Sequence, residues 1–239
     1  MDDFLKRQPL AADNFPSTAL RERGGPSADA DGGVREDRPG SGGQALDMEM
    51  QDADRIVSFD DEPLVLVDEH DREIGFMDKA SAHLGHGTLH RAFSLFIFND
   101  KGELLLQQRA AGKRLWPGYW SNTCCSHPRR GETLDHAIHR RLDEELGLKS
   151  PLQFLFKFQY QAQFDAEGAE HELCWVYAGR SDDKARVNPN EISGLRYIAP
   201  DALDAEMAAR PEAFTPWFKI EWARIRRDHA EVLEPLAPR

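Results

Sequence analysis

Residues 132–148, ETLDHAIHRRLDEELGL, contain the pattern that decides the fold of this chain. Large apolar residues recur every four positions in this stretch and form one stripe on a helical wheel: Leu134, Ile138, Leu142 and Leu146. Such a stripe is typical of an amphipathic helix that buries one side. Gly147 follows the last apolar position, where a glycine in the left-handed conformation often ends a helix. The sequence therefore predicts a helix from about residue 132 to residue 146.

Two charged residues lie beside this apolar stripe. At about 100° per residue, Arg141 and Glu145 fall within about 20° of Leu134. Charges at such positions are costly unless they are paired or hold an ion. Their spacing also permits an ordinary Arg–Glu pair on a solvated shoulder of the helix. The spacing alone leaves both interpretations open.

The stretches before the helix predict strands. PLVLVDEHDREIGFMDK (63–79) predicts a short strand, a polar turn and a second strand. AFSLFIF (92–98) and ELLLQQR (103–109) are joined by a polar segment that contains Gly102, which is typical of a hairpin.

The stretches after the helix predict three more strands and a second helix. LQFLFKFQYQAQF (152–164) alternates, which puts its apolar residues on one face of a half-buried strand: Leu152, Phe154, Phe156, Phe158, Tyr160, Ala162 and Phe164. HELCWVYAG (171–179) and LRYIA (195–199) predict further strands, and residues 217–233 predict a C-terminal helix. Hairpins mixed with helices favour an α/β fold, a mixed-sheet sandwich with flanking helices, over a doubly wound parallel sheet.

Residues 1–54 differ in composition from the rest of the chain. They are rich in Gly, Pro, Asp and Ser, and their few large apolar residues follow no period. We expect a disordered acidic tail, because such a segment buries too little apolar surface to offset its chain entropy. The tail lacks the apolar run of a secretory signal, and its acidity argues against a transit peptide. Residues 55–239 are expected to form a single domain.

The charge and cysteine content exclude several classes of protein. The formal net charge is −12, half of it in residues 1–54, and no basic block indicates nucleic-acid binding. No run of eighteen apolar residues predicts a membrane span. Three cysteines, two of them adjacent, make a poor disulfide framework. The sequence therefore favours a cytoplasmic protein without membrane or nucleic-acid partners.

Four segments together resemble a known enzyme family. Glu132 followed by RRLDEELGL (140–148) resembles the Nudix box, in which a helix presents glutamates to a metal-bound diphosphate. With TLHRAFSLFIF (88–98), KRLWPGYWSNTCCSHP (113–128) and EHELC (170–174), the chain looks like a type I isopentenyl-diphosphate isomerase from about residue 66 to residue 217. The resemblance implies a Nudix-like fold and the interconversion of isopentenyl and dimethylallyl diphosphate.

Two positions depart from the Nudix box. Ser126 stands where the box usually opens with glycine, and Arg141 stands where it usually has its first Glu after Arg. The loss of that glutamate argues against metal-assisted hydrolysis. An arginine there suits holding a diphosphate without cutting it.

The resemblance implies one divalent metal, Zn²⁺, Mn²⁺ or Mg²⁺, held by five residues: His83, His90, His127, Glu170 and Glu172. The residues support this in part, since carboxylates at positions i and i+2 of a strand leave the same face about 7 Å apart. Two such charges repel unless a cation or proton lies between them. A solvated acidic strand end is the alternative interpretation. His86 is left out, because Gly85 and Gly87 argue against a helix that would align it with the ligands.

The resemblance also assigns the substrate site. A second cation, Mg²⁺, would bridge the substrate diphosphate to Glu145. Four cationic residues would bind the diphosphate: Lys79, Arg109, Lys113 and Arg141. Cys125 and Glu172 would act as the opposed pair on a small allylic or homoallylic diphosphate. Tyr160 would assist protonation, and Trp217 would cover the carbocation through a cation–π interaction.

Simpler interpretations exist for each of these residues taken alone. A lone cysteine is usually a small buried apolar residue, and a lone lysine or arginine is usually a surface charge. Two other functions compete. A Nudix pyrophosphohydrolase needs the full set of box glutamates. A zinc-stabilised binding module would need closed CxxC-type spacing, which the sequence lacks.

Overall fold

The computed structural model describes residues 54–166 and 168–234. The strands in this part of the chain are β1 (Pro63–Val67), β2 (Glu73–Asp78), β3 (His90–Phe98), β4 (Leu104–Arg109), β5 (Trp120–Ser121), β6 (Cys124–Ser126), β7 (Leu152–Gln163), β8 (Ala169–Arg180) and β9 (Ile192–Ile198). The helices are α1 (Lys79–Ala82), α2 (Leu134–Leu146), α3 (Pro200–Ala209) and α4 (Pro216–Asp228), with 3₁₀ turns at Pro211–Ala213 and Ala230–Leu233. Apart from Asp54, the predicted tail lies outside the described residues.

Strand β3 is the centre of the sheet. It pairs antiparallel with β1, β4 and β6 and parallel with β8, while β2, β5, β7 and β9 extend the sheet from these neighbours. The parallel pairing is continuous from His90 opposite Glu172 to Phe98 opposite Arg180. The sheet is therefore mixed, as the sequence predicts.

Both faces of β3 are buried, each by a different helix. Phe93, Leu95 and Ile97 pack with the apolar stripe of α2. Phe96 and Phe98 point the other way and pack with α4. A strand covered on both sides has a nearly continuous apolar sequence, which explains AFSLFIF, where Ser94 is the one polar residue. This arrangement confirms the predicted sandwich with flanking helices.

Helix α2 begins and ends where the sequence predicts. The Thr133 side chain caps its first turn by accepting a hydrogen bond from the His136 backbone N–H at 3.2 Å. Gly147 ends the helix in the left-handed region, with φ 60° and ψ 24°, and its N–H is donated back to the last turn. A Cβ added at Gly147 would lie 3.2 Å from the Arg186 Cβ.

We expect Gly147→Ala to lower the free energy of unfolding by about 1–2 kcal/mol, because an L-residue is strained in this conformation. Gly112→Ala is the matched control, since Gly112 has no atom within 4 Å of an added Cβ and no positive φ. Urea denaturation of the two variants measures the difference. Equal stabilities would show that the helix end does not need the left-handed residue.

Strand β7 corrects one prediction. Its register on β8 shifts between Phe154 and Phe156, so the clean alternation predicted for residues 152–164 is broken at Leu155. Phe156 and the later apolar residues face α4, but Leu152 packs on the α2 side. Phe154 is 45% exposed and contacts the rings of Trp175 and Tyr177. A β-bulge moves side chains to the other face without changing the sequence alternation.

Two further features of the described residues complete the fold. Helix α3, which the sequence analysis did not predict, begins with Pro200 in its first turn and buries Leu203. No helix in the described ranges has the length and apolar character needed to cross a membrane.

Candidate active site

A cavity of about 850 Å³ brings most of the predicted site residues together. Eleven of them line it: Lys79, His83, Arg109, Lys113, Cys125, His127, Arg141, Tyr160, Glu170, Glu172 and Trp217. His90 is fully buried behind the wall and still contacts the lining histidines. Glu145 does not line the cavity and lies next to Arg141.

The pairing of the central strands assembles the five predicted metal ligands. His90 begins β3 and is the register partner of Glu172 on β8. His127 directly follows β6, which also pairs with β3. His83 caps the short helix α1, and Ala169 donates its N–H to the His83 carbonyl, which brings Glu170 alongside. One candidate ligand atom from each of the five lies within 4.8 Å of all the others.

Two of the histidines are oriented by backbone carbonyls. His83 Nδ1 lies 2.6 Å from the Lys79 carbonyl oxygen, and His90 Nδ1 lies 2.7 Å from the Thr88 carbonyl oxygen. Because a carbonyl can only accept, both Nδ1 atoms carry the proton in the neutral ring. Their Nε2 lone pairs then point into the cluster, which is the orientation found in metal-binding histidines.

The contacts inside the cluster fit a divalent cation. His83 Nε2 lies 2.8 Å from Glu170 Oε2, and that buried oxygen makes no hydrogen bond within residues 54–166 and 168–234. His90 Nε2 likewise lies 3.2 Å from His127 Nε2. Burial, followed by the charge of His90, lowers the pKa of His127 well below its ordinary value, which keeps this imidazole neutral. Electron pairs held this close repel unless a proton or a cation lies between them, and three imidazoles with two carboxylates suit a divalent ion.

Glu172 connects the ligand cluster to Tyr160. Its Oε1 lies 2.9 Å from His127 Nε2, and its Oε2 accepts a hydrogen bond of 2.7 Å from the Tyr160 hydroxyl. Burial, and then Glu172, raise the pKa of Tyr160 well above its ordinary value. Tyr160 therefore remains a proton donor to this carboxylate. The arrangement brings together the two residues that the sequence analysis assigns to protonation.

The adjacent cysteines point to opposite sides of the sheet. Cys124 is fully buried on the α2 side, whereas Cys125 lines the cavity. The Cys125 sulfur accepts a hydrogen bond of 3.2 Å from Trp217 Nε1. Burial, and then the negative charge of Glu221, raise the pKa of the Cys125 thiol to about 12. Strand alternation thus explains why only one of two neighbouring thiols belongs to the site.

The opposite end of the cavity is cationic. Burial, and then the charges of Lys113 and Arg141, lower the pKa of Lys79 to about 8. Such a shift indicates positive groups converging on one space. Arg109 lies at the boundary with the apolar part: it donates to the Leu115 carbonyl oxygen at 2.8 Å, and its guanidinium carbon lies 5.3 Å from the Trp217 ring centroid.

Comparison with known proteins identifies the family. The NUDIX domain model matches residues 88–218. Isopentenyl-diphosphate Delta-isomerase 1 of Photorhabdus laumondii is 47% identical over 174 residues, which cover 72% of this chain and 99% of that protein. The isopentenyl-diphosphate Delta-isomerase of Pectobacterium atrosepticum is 48% identical, over 68% of this chain and 90% of that protein. The chain belongs to the isopentenyl-diphosphate Delta-isomerase family of Nudix proteins.

A solved structure shares the fold of this chain. The crystal structure of DR0079 from Deinococcus radiodurans matches with a TM-score of 0.58 and 26% sequence identity, covering 70% of this chain and 100% of that one. The predicted fold class is therefore confirmed by both kinds of comparison.

The glutamates of the Nudix box are each paired with an arginine. Arg140 bonds Glu132 at 2.6 Å and Glu144 at 2.9 Å. Arg141 bonds Glu145 at 2.6 Å, so the ordinary i, i+4 pair that the spacing permits is present. The pair is buried, however, and not on a solvated shoulder as that interpretation expects. Because each of these glutamates is bonded to an arginine, the Nudix box of this chain does not present a row of unpaired carboxylates to a metal.

Two buried acids near predicted site residues, one on each side of the sheet, were not identified by the sequence analysis. Glu191 forms an ion pair with Lys113 and lies 3.5 Å from Arg141. Burial raises its pKa, but Lys113 and then Arg141 outweigh that effect and hold it at about 2. No sequence signal marks Glu191, because its neighbours come from the loop that follows β4 and from α2. Glu221 does carry one, since it lies four residues from Trp217 and from Ile225 on the packed face of α4.

Proposed function

We propose that this protein interconverts isopentenyl and dimethylallyl diphosphate, in isoprenoid biosynthesis, by protonation and deprotonation of the carbon skeleton. The observation that carries the proposal is the division of one cavity into two ends. A thiol, an indole and a tyrosine–glutamate pair line one end, and lysines and an arginine line the other. A diphosphate with a short apolar tail matches both ends. The names of the two isomerase relatives point to the same reaction.

The reaction needs a proton added to C4 and another removed from C2 of the substrate. Glu172, hydrogen-bonded by Tyr160, acts on the C4 side, and Cys125 acts on C2. The tertiary carbocation between the two steps would be trapped by water. Trp217, only 3% exposed, excludes water and offers its ring face to the cation. The substrate gains one proton and loses one, so substrate and product have the same composition.

The five-ligand cluster is the proposed metal site of the enzyme. His83, His90, His127, Glu170 and Glu172 would hold one Zn²⁺, Mn²⁺ or Mg²⁺ ion. When bound, the ion would fix the orientation of the Glu172 carboxyl group and neutralise the paired carboxylates. The positions of Glu172 and Tyr160 would then determine which side of the substrate receives the proton.

The cationic end is the proposed diphosphate site. Lys79, Arg109, Lys113 and Arg141 would bind phosphate oxygens. A Mg²⁺ ion arriving with the substrate would be held by Glu145, which also contacts Arg141. The three free cysteines of the described residues are consistent with a cytoplasmic enzyme.

One assay separates this function from hydrolysis by a Nudix pyrophosphohydrolase. The purified protein is incubated with isopentenyl diphosphate and Mg²⁺, without flavin or reductant. Formation of dimethylallyl diphosphate without phosphate release supports the isomerase. Phosphate release from nucleoside diphosphate derivatives, with no isomerisation, would instead establish the hydrolase.

The N-terminal tail is proposed to be dispensable for chemistry. We expect deletion of residues 1–50 to change turnover by less than about tenfold, since every proposed site residue follows it. A deletion of residues 1–58 should be damaging, because the Val57 carbonyl accepts hydrogen bonds from Arg141 at 2.6 Å and Arg129 at 3.1 Å. Turnover and melting temperature of both truncations test this. A large loss of activity in the shorter deletion would give the tail a role in the site.

A further inference from the structure

Glu191 is a buried carboxylate at the cationic end of the cavity, and the proposed reaction does not use it. The residue lines the cavity and is 3% exposed. Its Oε2 forms an ion pair with Lys113 and lies 3.5 Å from Arg141 Nη2. Both of these cations are assigned to the diphosphate. An acid therefore lies where the proposed substrate would bring its own negative charge.

The backbone of Glu191 is held from two directions. Its carbonyl accepts a hydrogen bond of 2.9 Å from the Ala110 N–H, and its own N–H donates to the Asn188 carbonyl at 3.0 Å. The Asn188 N–H in turn donates to the Glu145 carbonyl at 2.8 Å. These bonds tie residues 188–191 to the last turn of α2 and to the loop that follows β4. The position of Glu191 therefore does not depend on its ion pair alone.

Carboxylates already offset much of the positive charge at this end. Three of the four proposed diphosphate ligands face one: Lys79 with Glu62 at 3.9 Å, Lys113 with Glu191, and Arg141 with Glu145 at 2.6 Å. A free diphosphate would bring all its negative charges against Glu191, whereas its Mg²⁺ complex carries two fewer. Because repulsion grows with the charge of the ligand, Glu191 opposes the free anion more strongly than the complex.

We propose that Glu191 is a specificity-determining residue, which makes the cationic end select the Mg²⁺ complex of a diphosphate over the free diphosphate. Its carboxylate is fixed beside two of the cations, so a fully charged anion meets a built-in repulsion. A ligand that carries fewer negative charges meets less of it. The inference rests on the proposed diphosphate site, but not on the isomerisation chemistry.

The test measures the binding of inorganic diphosphate to the purified protein by titration calorimetry at pH 7, with and without added Mg²⁺. The wild-type protein should bind the Mg²⁺ complex at least about tenfold more tightly than free diphosphate. Glu191→Gln keeps the shape of the side chain and removes its charge. It should bind free diphosphate at least about tenfold more tightly than wild type, and change the affinity for the complex by less than about threefold.

Two control variants accompany this comparison. Glu191→Asp keeps the negative charge and should keep the wild-type preference for the Mg²⁺ complex. Glu212→Gln removes the charge of an exposed acid and should bind both forms as wild type does.

A second comparison separates the charge of Glu191 from any effect on Lys113. In a Lys113→Met background the ion pair is absent, so Glu191→Gln leaves no buried lysine without a partner. The substitution should still tighten the binding of free diphosphate at least about fivefold, because Glu191 still lies beside Arg141. If Glu191→Gln alone does not fold, this pair of variants decides the question.

Several results would overturn the proposal. They are equal changes in affinity for free diphosphate and for the complex, no effect in the Lys113→Met background, or a wild-type protein that binds both forms equally. A packing defect would lower the melting temperature and weaken the binding of both forms, which is opposite in sign to the expected result. If no diphosphate binds even with Mg²⁺, the proposed diphosphate site fails and the inference with it. Binding without isomerisation would contradict only the proposed reaction.

Discussion

Replacing Cys125 by alanine is expected to lower the isomerisation rate by at least about 10³-fold, because it removes the group proposed to exchange the proton at C2. Cys125 lines the cavity beside Trp217, and its neighbours Asn122 and Ser121 fix the position of the sulfur. Cys124→Ala is the matched control, since Cys124 points into the core on the α2 side. That variant should lose about 1–2 kcal/mol of stability and keep most of its activity.

The measurement is the conversion of isopentenyl diphosphate by both variants, with deuterium incorporation followed in D₂O. The wild-type protein should introduce deuterium into both isomers as they equilibrate. An epoxide analogue of the substrate should alkylate Cys125. Near wild-type turnover by Cys125→Ala, or labelling of Cys124 or Cys174, would remove Cys125 from the proposed mechanism.

Loss of the metal is expected to have the other large effect. His127→Ala removes one of the five proposed ligands from a buried cluster, and we expect metal content to fall by at least about tenfold. Turnover should fall below about 1% of wild type, since Glu172 is both a proposed ligand and the proposed acid. The melting temperature should fall by at least about 5 °C, because repulsion between the remaining carboxylates is no longer neutralised.

His86→Ala provides the control for this experiment. His86 lies between the proposed ligands His83 and His90 in the chain but is exposed, with its Nδ1 3.0 Å from the Gln163 side-chain oxygen. It should keep full metal content and activity. Elemental analysis of the purified proteins gives the metal content, and dialysis against a chelator provides a second route to the metal-free state. An active wild-type protein that contains no metal would refute the ligand assignment.

Most of the fold follows from local patterns in the sequence. The stripe and the glycine end predict helix α2, the nearly continuous apolar run predicts strand β3, and both elements are present. The bulge at Leu155 could not be predicted, because an alternating sequence has the same appearance with or without an extra residue in the pairing. Its position is set by how β7 pairs with β8, which is a property of two strands and not of one.

The site was predictable to a lesser extent from the residues alone. The i, i+2 spacing of Glu170 and Glu172 permits a cation or a solvated acidic strand end, and the three histidines are assigned only by resemblance to the family. The interaction of Glu191 with Lys113 depends on β4 pairing with β9, about 80 residues away. Glu221 could have been found, because the helical wheel that reveals Arg141 on α2 also reveals Glu221 on α4.

The parallel pairing of β3 with β8 also has a consequence for the folding pathway. These strands lie about 80 residues apart in the chain, so their association has a high contact order and is expected to be slow. His90 and Glu172 are register partners at one end of the pairing. A slip of β8 by one residue along β3 would place the Glu172 side chain on the opposite face of the sheet from the His90 side chain. We therefore expect metal capture to favour chains that have found the native register, and a metal-starved cell to accumulate kinetically trapped, misregistered protein.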